Sequence, residues 1–145
     1  KLRISTFGYI FQSHCLLNEF TILENLILPQ IIAEKEYQNS LDKAIRYLEQ
    51  FKIKNKMNSY PDTLSMGQAQ RVSVIRSIIN NPRILIADEP TGNLDKKNSE
   101  FILDLFIKLN KSLKQTIIIA THDKNFLKIS DFAYEIINKK LELIK

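Results

Sequence analysis

The chain has 145 residues, of which 44% are hydrophobic and 26% are charged, as in one ordinary globular domain. Its net charge of +5 comes from lysines and arginines spread along the chain, which is typical of a solvated surface and argues against a nucleic-acid partner. No apolar run approaches the roughly 20 residues of a membrane span. The three glycines, Gly8, Gly67 and Gly92, lie too far apart to form a glycine-rich phosphate loop.

The first half of the chain predicts a strand followed by helices. β-Branched and aromatic residues across 3–11 predict the strand. Thr21 followed by Glu24 is a capping-box pattern, so a helix is expected to begin there, and Pro29 is expected to end or kink it. Ser40 is expected to open the next helix, whose apolar residues recur at helical spacing.

The second half of the chain predicts a parallel sheet. Ser65 is expected to cap a helix that the Asn-Asn-Pro sequence at 80–82 ends. The short apolar runs at 83–87 and 116–120 are typical of strands buried on both faces. A helix at about 96–113 joins them, and such a crossover makes the two strands parallel. The chain then continues with a short helix and edge strands, at residues 125 onward, 132–137 and 141–144.

Polar side chains follow both strands of this crossover. Asp88 and Glu89 come directly after the first strand, and His122 and Asp123 follow the second. The carboxyl ends of parallel strands meet at the sheet edge where open α/β sheets bind ligands, so we expect these side chains to converge. One carboxylate there can hold Mg²⁺ beside a nucleotide's phosphates, and its neighbour can orient or deprotonate an attacking water. The alternative is that residues 88–90 only form a turn.

A second site suited to anions lies at the start of the helix that Ser65 caps. Exposed N–H groups and the positive end of the helix dipole favour a phosphate there. Ser65 adds a hydroxyl donor, and Gly67 lets a phosphate approach the backbone closely. The alternative is an ordinary serine N-cap without a ligand.

These motifs follow one order along the chain: Gln12, Leu-Ser-Met-Gly-Gln at 64–68, Ile-Leu-Ile-Ala-Asp-Glu-Pro at 84–90, Gly-Asn-Leu-Asp at 92–95, and His122. Over essentially the whole chain, this order resembles the ATP-binding subunit of ABC transporters. The resemblance implies a partial P-loop NTPase fold of the α/β class, with a mostly parallel sheet core and an α-helical subdomain. Residues 1–19 would hold the Q-loop strand and loop, 20–80 the helical subdomain, and 81–145 the core from Walker B to the H-loop.

The resemblance also implies which residues face ATP. Gln12 would be the Q-loop glutamine, which links the nucleotide and Mg²⁺ to the membrane partner. Ser65, Gly67 and Gln68 would belong to the signature motif and contact ATP held by the second ATPase subunit of a head-to-tail dimer. Met66 stands where the family has the first of two signature glycines, and we expect the site to tolerate this change with altered packing.

The same resemblance implies the catalytic residues. Asp88 would be the Walker B carboxylate that holds the metal, and Glu89 the general base. His122 would be the switch histidine, and Asp95 the D-loop aspartate at the dimer interface. A metal-dependent hydrolase built on Asp88, Glu89, His122 and Asp123 is an alternative, but it leaves the motif at 64–68 unexplained.

No Walker A loop precedes Gln12. In the family that loop lies upstream of the Q-loop, so the resemblance implies that Lys1 begins partway through the domain. We therefore expect a complete subunit to be an ATPase, but this chain alone neither to bind nor to hydrolyse ATP in cis. We also expect an open apolar sheet edge beside the strand at 83–87, where the strand leading into Walker A would lie, and hence poor solubility.

The segments at 11–17, 20–25 and 87–95 resemble the branch of lipoprotein-releasing ATPases and macrolide exporters. This resemblance implies transmembrane permease subunits as partners and a peripheral position on the cytoplasmic face of the inner membrane. It also implies that the ATPase powers lipoprotein release. The cell-division ATPase of the same branch shares the Gly-Asn-Leu-Asp sequence and stays an alternative. A second alternative is a non-catalytic split or truncated subunit that acts as an interaction module.

Overall fold

The structure, a computed structural model, describes residues 6–145. At its centre lies a three-stranded parallel sheet with the strand order β1–β2–β3. The strands are β1 (Phe7–Ile10), β2 (Ile84–Asp88) and β3 (Thr116–Ala120). The predicted α/β class and the parallel crossover from β2 to β3 are thus confirmed. Residues 3–5 of the predicted first strand lie outside the described residues.

The α-helices are α1 (Ile22–Ile32), α2 (Tyr37–Gln50), α3 (Met66–Ile78), α4 (Lys96–Leu113) and α5 (Asn125–Ile129). Two short 3₁₀ helices, Lys54–Lys56 and Pro61–Thr63, lie between α2 and α3. The first three α-helices pack on one another, and α3 also packs on β1. Because α3 contacts α1 and α2 as well as β1, it joins the helices and the sheet in one hydrophobic core.

The start of α1 follows the prediction, but its end does not. Thr21 is the N-cap, and Glu24 completes the capping box by accepting from the backbone N–H of Thr21. Pro29 neither ends the helix nor removes its last turn, since α1 continues to Ile32. The carbonyl of Pro29 accepts from Ala33 N at 3.2 Å and from Asn80 Nδ2 at 2.9 Å. These bonds and the burial of Leu26 offset the hydrogen bond that proline cannot make.

The predicted start of the second helix is wrong. α2 begins at Tyr37 with Glu36 as its N-cap, and Ser40 lies inside the helix. The Ser40 side chain is fully buried, and its hydroxyl donates to the carbonyl of Glu36 at 2.8 Å. A serine that bonds back to the carbonyl four residues earlier fits a helix interior, and sequence alone does not separate that role from an N-cap.

One face of the sheet is buried and the other is partly open. Residues in register share a face: Ile10, Ala87 and Ile119 on one, Tyr9, Ile86 and Ile118 on the other. Ile10 and Ala87 are buried in the core, whereas Ile118 is 55% exposed. The prediction that the strand at 116–120 is buried on both faces is therefore wrong, because the described helices bury only the face of Ile10.

The expected gap beside β2 is also absent from the described sheet. β1 and β3 flank β2 on its two sides, so β2 is central and the open edges belong to its neighbours.

The predicted edge strands at 132–137 and 141–144 do not join this sheet. They form a separate antiparallel hairpin of β4 (Tyr134–Ile137) and β5 (Lys140–Leu143). Asn138 and Lys139, with φ of 50° and 64°, form the two-residue turn that matches the twist of a hairpin.

Gly8 is required where α3 crosses β1. A Cβ at this position would lie within 3.0 Å of the Ser77 carbonyl oxygen and at 3.0 Å from Pro82 Cγ. The helix backbone therefore approaches the strand more closely than any residue with a side chain would allow.

Across residues 6–145, no helix is both long enough and apolar enough to cross a membrane.

Candidate functional site

The site begins at Glu89, the first residue after β2. Its backbone N–H donates to the carbonyl of Ala120 at 2.9 Å, which fixes the ends of β2 and β3 beside each other. Glu89 has a φ of 43°, in the left-handed region that a non-glycine residue rarely occupies. Such backbone strain is often found at functional sites, where the surrounding structure enforces it.

The Glu89 carboxylate joins the two loops at this edge. Its Oε1 lies 2.7 Å from His122 Nδ1 and accepts from the His122 backbone N–H at 3.1 Å. Its Oε2 accepts from the Thr121 hydroxyl at 3.1 Å. The structure thus brings Glu89 and His122 together as predicted from their strand ends, and it adds Thr121, which the sequence analysis did not single out.

Electrostatics keep Glu89 ionised. Burial alone raises the pKa of Glu89, but hydrogen bonds from His122 and Thr121 and the charge of His122 outweigh it. The pKa of Glu89 therefore lies below its usual value. An anionic Glu89 beside an exposed imidazole gives this edge a proton acceptor and a second group that can face a ligand.

Asp88 ends β2 on the same edge and is exposed. Within residues 6–145 its carboxylate makes no hydrogen bond and belongs to no group of three or more metal-ligating side chains. That environment suits Mg²⁺, which commonly binds to proteins through one or two carboxylates and keeps water or phosphate oxygens as its other ligands. It does not suit a zinc centre, which takes three or four protein ligands.

Gln12 follows β1 and reaches the turn after β2. Its Nε2 lies 3.6 Å from the position that a Cβ on Gly92 would occupy. Because Ile10 is paired with Ala87, Gln12 comes to the same sheet edge as Asp88. Four predicted site residues therefore meet at one edge: Gln12, Asp88, Glu89 and His122.

Two further contacts brace the loop after β2. Gln70, which is only 1% exposed, donates through Nε2 to the carbonyl of Pro90 at 2.8 Å. Buried Thr91 donates to Asp123 Oδ2 at 3.2 Å. Neither contact has a sequence signal, because each depends on which loops the fold brings together. They hold the Glu89 turn to α3 on one side and to the His122 loop on the other.

Arg76 on α3 holds the loop after Gln12. Its guanidinium donates to the carbonyls of His14 at 2.8 Å and Cys15 at 2.6 Å. His14 and Cys15 have φ of 60° and 50°, so two consecutive residues are left-handed. Arg76 therefore stabilises a strained loop, and an arginine within a predicted helix gave no indication of this role.

The segment at 64–68, which the resemblance identifies as the signature motif, lies at the N-terminus of α3. Ser65 is the N-cap, and a capping box links it to Gln68: Gln68 Oε1 accepts from Ser65 N at 2.9 Å. The spacing of serine and glutamine three residues apart is enough to predict this box from sequence. Met66 is 52% exposed, so it replaces a glycine without entering the core.

Asn98, which no sequence pattern indicated, contacts both Gly67 and Asp95. A Cβ on Gly67 would lie 2.5 Å from Asn98 Oδ1, so the glycine makes room for Asn98. Asp95 is the N-cap of α4 and accepts from the backbone N–H of Asn98 at 2.8 Å. The hydrogen bonds from the Asn98 backbone and side chain hold the pKa of Asp95 below its usual value.

Known proteins resemble this chain over most of its length. The sequence pattern of the ABC transporter family matches residues 2–92. The chain is 41% identical over 141 residues to the lipoprotein-releasing system ATP-binding protein LolD of Buchnera aphidicola from Schizaphis graminum, covering 97% of this chain and 62% of that protein. It is also 41% identical to LolD of Treponema denticola, covering 98% of this chain and 63% of that protein.

Solved structures with this fold include the dimeric form of MJ0796, a bacterial ABC transporter cassette. It matches with a TM-score of 0.82 and 35% identity over 90% of this chain and 58% of that chain. A post-hydrolysis state of MJ0796 bound to ADP and Pi matches with a TM-score of 0.87 and 31% identity over 99% of this chain and 65% of that chain. The chain thus spans a little under two thirds of the length of the proteins it matches.

Proposed function

Because this chain belongs to the ABC transporter ATPase family, we propose that it forms part of an ATP-hydrolysing subunit that drives a membrane permease. The observation that carries this proposal is the contact of 2.7 Å between His122 Nδ1 and Glu89 Oε1. It lies beside Asp88, whose carboxylate makes no hydrogen bond within residues 6–145. An ionised base, a carboxylate that can bind a metal and an imidazole at one sheet edge are groups that phosphoryl transfer to water uses.

Each residue at the edge has a distinct task in this proposal. Glu89 accepts a proton from the attacking water, which its anionic state allows. His122, whose Nδ1–H is held by Glu89, donates from Nε2–H to a phosphoryl oxygen when the imidazole carries both protons. Asp88 and Gln12 would hold Mg²⁺, which when bound neutralises charge on the phosphates of ATP.

The signature segment completes the site from a second subunit. Ser65 caps a helix of 13 residues, and the positive end of its dipole favours a phosphate. In a head-to-tail dimer, Ser65, Gly67 and Gln68 would contact ATP bound to the partner subunit, and Asp95 would lie at the interface. The dimeric form of MJ0796 supports this arrangement.

The LolD relatives support a narrower proposal for the substrate. By that similarity the subunit powers lipoprotein release, works with transmembrane permease subunits and lies peripherally on the cytoplasmic face of the inner membrane. A groove of about 420 Å³ beside the Gln12 loop gives a permease segment an apolar surface; its lining includes Phe7, Tyr9, Phe11, Leu17 and Ile32. A cell-division or macrolide-exporter type of ATPase is the alternative, and it would work with a different permease.

Glu89→Gln tests the proposal in the protein expressed from its natural gene together with its permease. The amide cannot accept the proton, so ATP turnover should fall at least 100-fold, at the lower end of what general-base catalysis contributes. Glu100→Gln, an exposed change on α4, is the matched control and should leave turnover unchanged. Equal turnover in the two variants would remove Glu89 as the base. Absence of turnover in the unaltered protein would favour the non-catalytic module.

A further inference from the structure

The first turns of α3 and α4 meet at the side chain of Asn98. On one side, its Nδ2 donates to Asp95 Oδ2 at 2.9 Å, and its backbone N–H donates to Asp95 Oδ1 at 2.8 Å. On the other side, its Oδ1 accepts from Arg71 Nη2 at 3.1 Å. One amide thus connects the N-cap of α4 to the helix of the signature motif.

Asn98 contacts Gly67 so closely that a Cβ at position 67 would displace the Asn98 amide. A Cβ at position 67 would lie 2.5 Å from Asn98 Oδ1 and 2.7 Å from Asn98 Nδ2. Ordinary contacts of a Cβ are longer than 3.4 Å. The amide therefore packs directly on the backbone of the signature turn, and Gly67 has a structural reason to be glycine that does not depend on a phosphate.

Arg71 strengthens the junction between α3 and α4 that Asn98 forms with Asp95 and Gly67. Its Cζ lies 4.2 Å from the centre of the Phe101 ring, one turn further along α4. A guanidinium stacked on an aromatic face gains cation–π attraction while its edge stays available for hydrogen bonds. Arg71 is thereby fixed to α4 at two points, Phe101 and Asn98.

The chemistry of this junction requires an amide. Asparagine donates to the Asp95 carboxylate with its NH₂ and accepts from Arg71 with its oxygen. Aspartate would keep the bond to Arg71 but would place a second negative charge beside Asp95. Alanine would lose both side-chain bonds and free the space above Gly67.

We propose that Asn98 is a positioning residue that fixes the signature turn at Ser65–Gln68 relative to Asp95, so that the two parts of the dimer-facing surface stay aligned. The inference rests on the proposed function only in assigning that surface to the ATP-driven dimer. The junction itself consists of contacts within one chain. Asn98 is thus assigned a role in dimer closure and none in the chemical step.

ATP-driven dimerisation is the first test, made with the natural gene product in the Glu89→Gln background. Asn98→Ala and Asn98→Asp should each raise the ATP concentration for half-maximal dimerisation about tenfold, the effect of about 1.4 kcal/mol. ATP affinity of the monomer should not change. Asn110→Ala, the same substitution at the far end of α4, is the control. Within residues 6–145 the Asn110 side chain bonds only to the Gln115 carbonyl. Unchanged dimerisation in both Asn98 variants would overturn the inference.

A double-mutant cycle in thermal unfolding is the second test, and it does not depend on ATP. Gly67→Ala should lower the Tm because its methyl group meets the Asn98 amide. Combined with Asn98→Ala, the same change should cost much less, since the obstructing amide is gone. Strictly additive losses would overturn the inference. If the Glu89→Gln protein with Asn98 intact does not dimerise, the proposed function fails, while this cycle still decides the Asn98 contact.

Discussion

His122 Nδ1 lies 2.7 Å from Glu89 Oε1, and this contact ties the loop after β3 to the loop after β2. His122 is exposed, whereas Glu89 is partly buried and receives a further bond from Thr121. The carboxylate is therefore stabilised in its charged form by groups from the neighbouring strand.

Replacing His122 should raise the pKa of Glu89. His122→Ala removes a side-chain hydrogen bond and a nearby charge that lower this pKa, and it leaves the opposing effect of burial in place. Carboxyl NMR of the labelled protein measures the shift directly. The control is Lys124→Ala, an exposed cation two residues further along. A Glu89 pKa that is unchanged or lower in His122→Ala would contradict the assigned contact.

Acid should weaken the start of α4 through Asp95. The pKa of Asp95 is lowered in the folded state, first by the backbone N–H of Asn98 and then by its side chain. A lowered pKa gives stability that is present above the unfolded value of 3.8 and is lost as the pH falls through the folded value. Asp95→Asn should therefore lose less stability than the unaltered chain between pH 5 and about pH 3. Urea midpoints measure this loss, and Asp104→Asn on the same helix is the control. Equal acid sensitivity of Asp95→Asn and the unaltered chain would refute the prediction.

Two glycines should respond differently to a single methyl group. Gly8→Ala brings a Cβ against the Ser77 carbonyl and should cost about 1–3 kcal/mol in the free energy of unfolding, as overpacking does. Gly92→Ala meets its nearest atom at 3.4 Å and should change that energy by no more than about 0.5 kcal/mol. Chemical denaturation of both variants decides the matter, and comparable losses would show that α3 can shift on β1.

The open face of the sheet should make the isolated 145-residue chain self-associate. Ile118 on β3 is 55% exposed, and Tyr9 and Ile86 lie on the same face. Exposed apolar patches of this kind commonly bind dye or a second chain. Ile118→Lys should lower both dye binding and sedimentation mass, whereas Ile144→Lys, outside this face, should not. A monomer that binds no dye and unfolds in one sharp transition would contradict this expectation.

Local sequence patterns predicted the elements that a few neighbouring residues determine, such as a helix cap or a single strand. The capping box at Thr21 formed as expected, and the apolar run at 83–87 formed the strand β2. Parallel pairing then brought Glu89 and His122 to one edge. The same local reasoning failed at Ser40, whose hydroxyl bonds back inside a helix. It failed in part at Pro29, which does not end α1 because packing outweighs the lost hydrogen bond.

The site's supporting contacts could not be predicted because they join residues far apart in the chain. Asn98 contacts Arg71 across 27 positions, and Arg76 contacts His14 across 62. Neither residue has a motif of its own, and each becomes meaningful only when α3 is placed beside its neighbours. The sequence could predict which polar groups meet at the sheet edge, whereas the residues that hold them in place required the fold.

The most direct test of the account is to identify the nucleotide retained by the Glu89→Gln protein. The natural gene product is loaded with ATP labelled at the γ-phosphate and Mg²⁺, separated from free nucleotide, and analysed for ATP and ADP. If Glu89 is the base, the variant retains intact ATP while the unaltered protein yields ADP and phosphate. Recovery of ADP and phosphate from the variant at the rate of the unaltered protein would contradict the account.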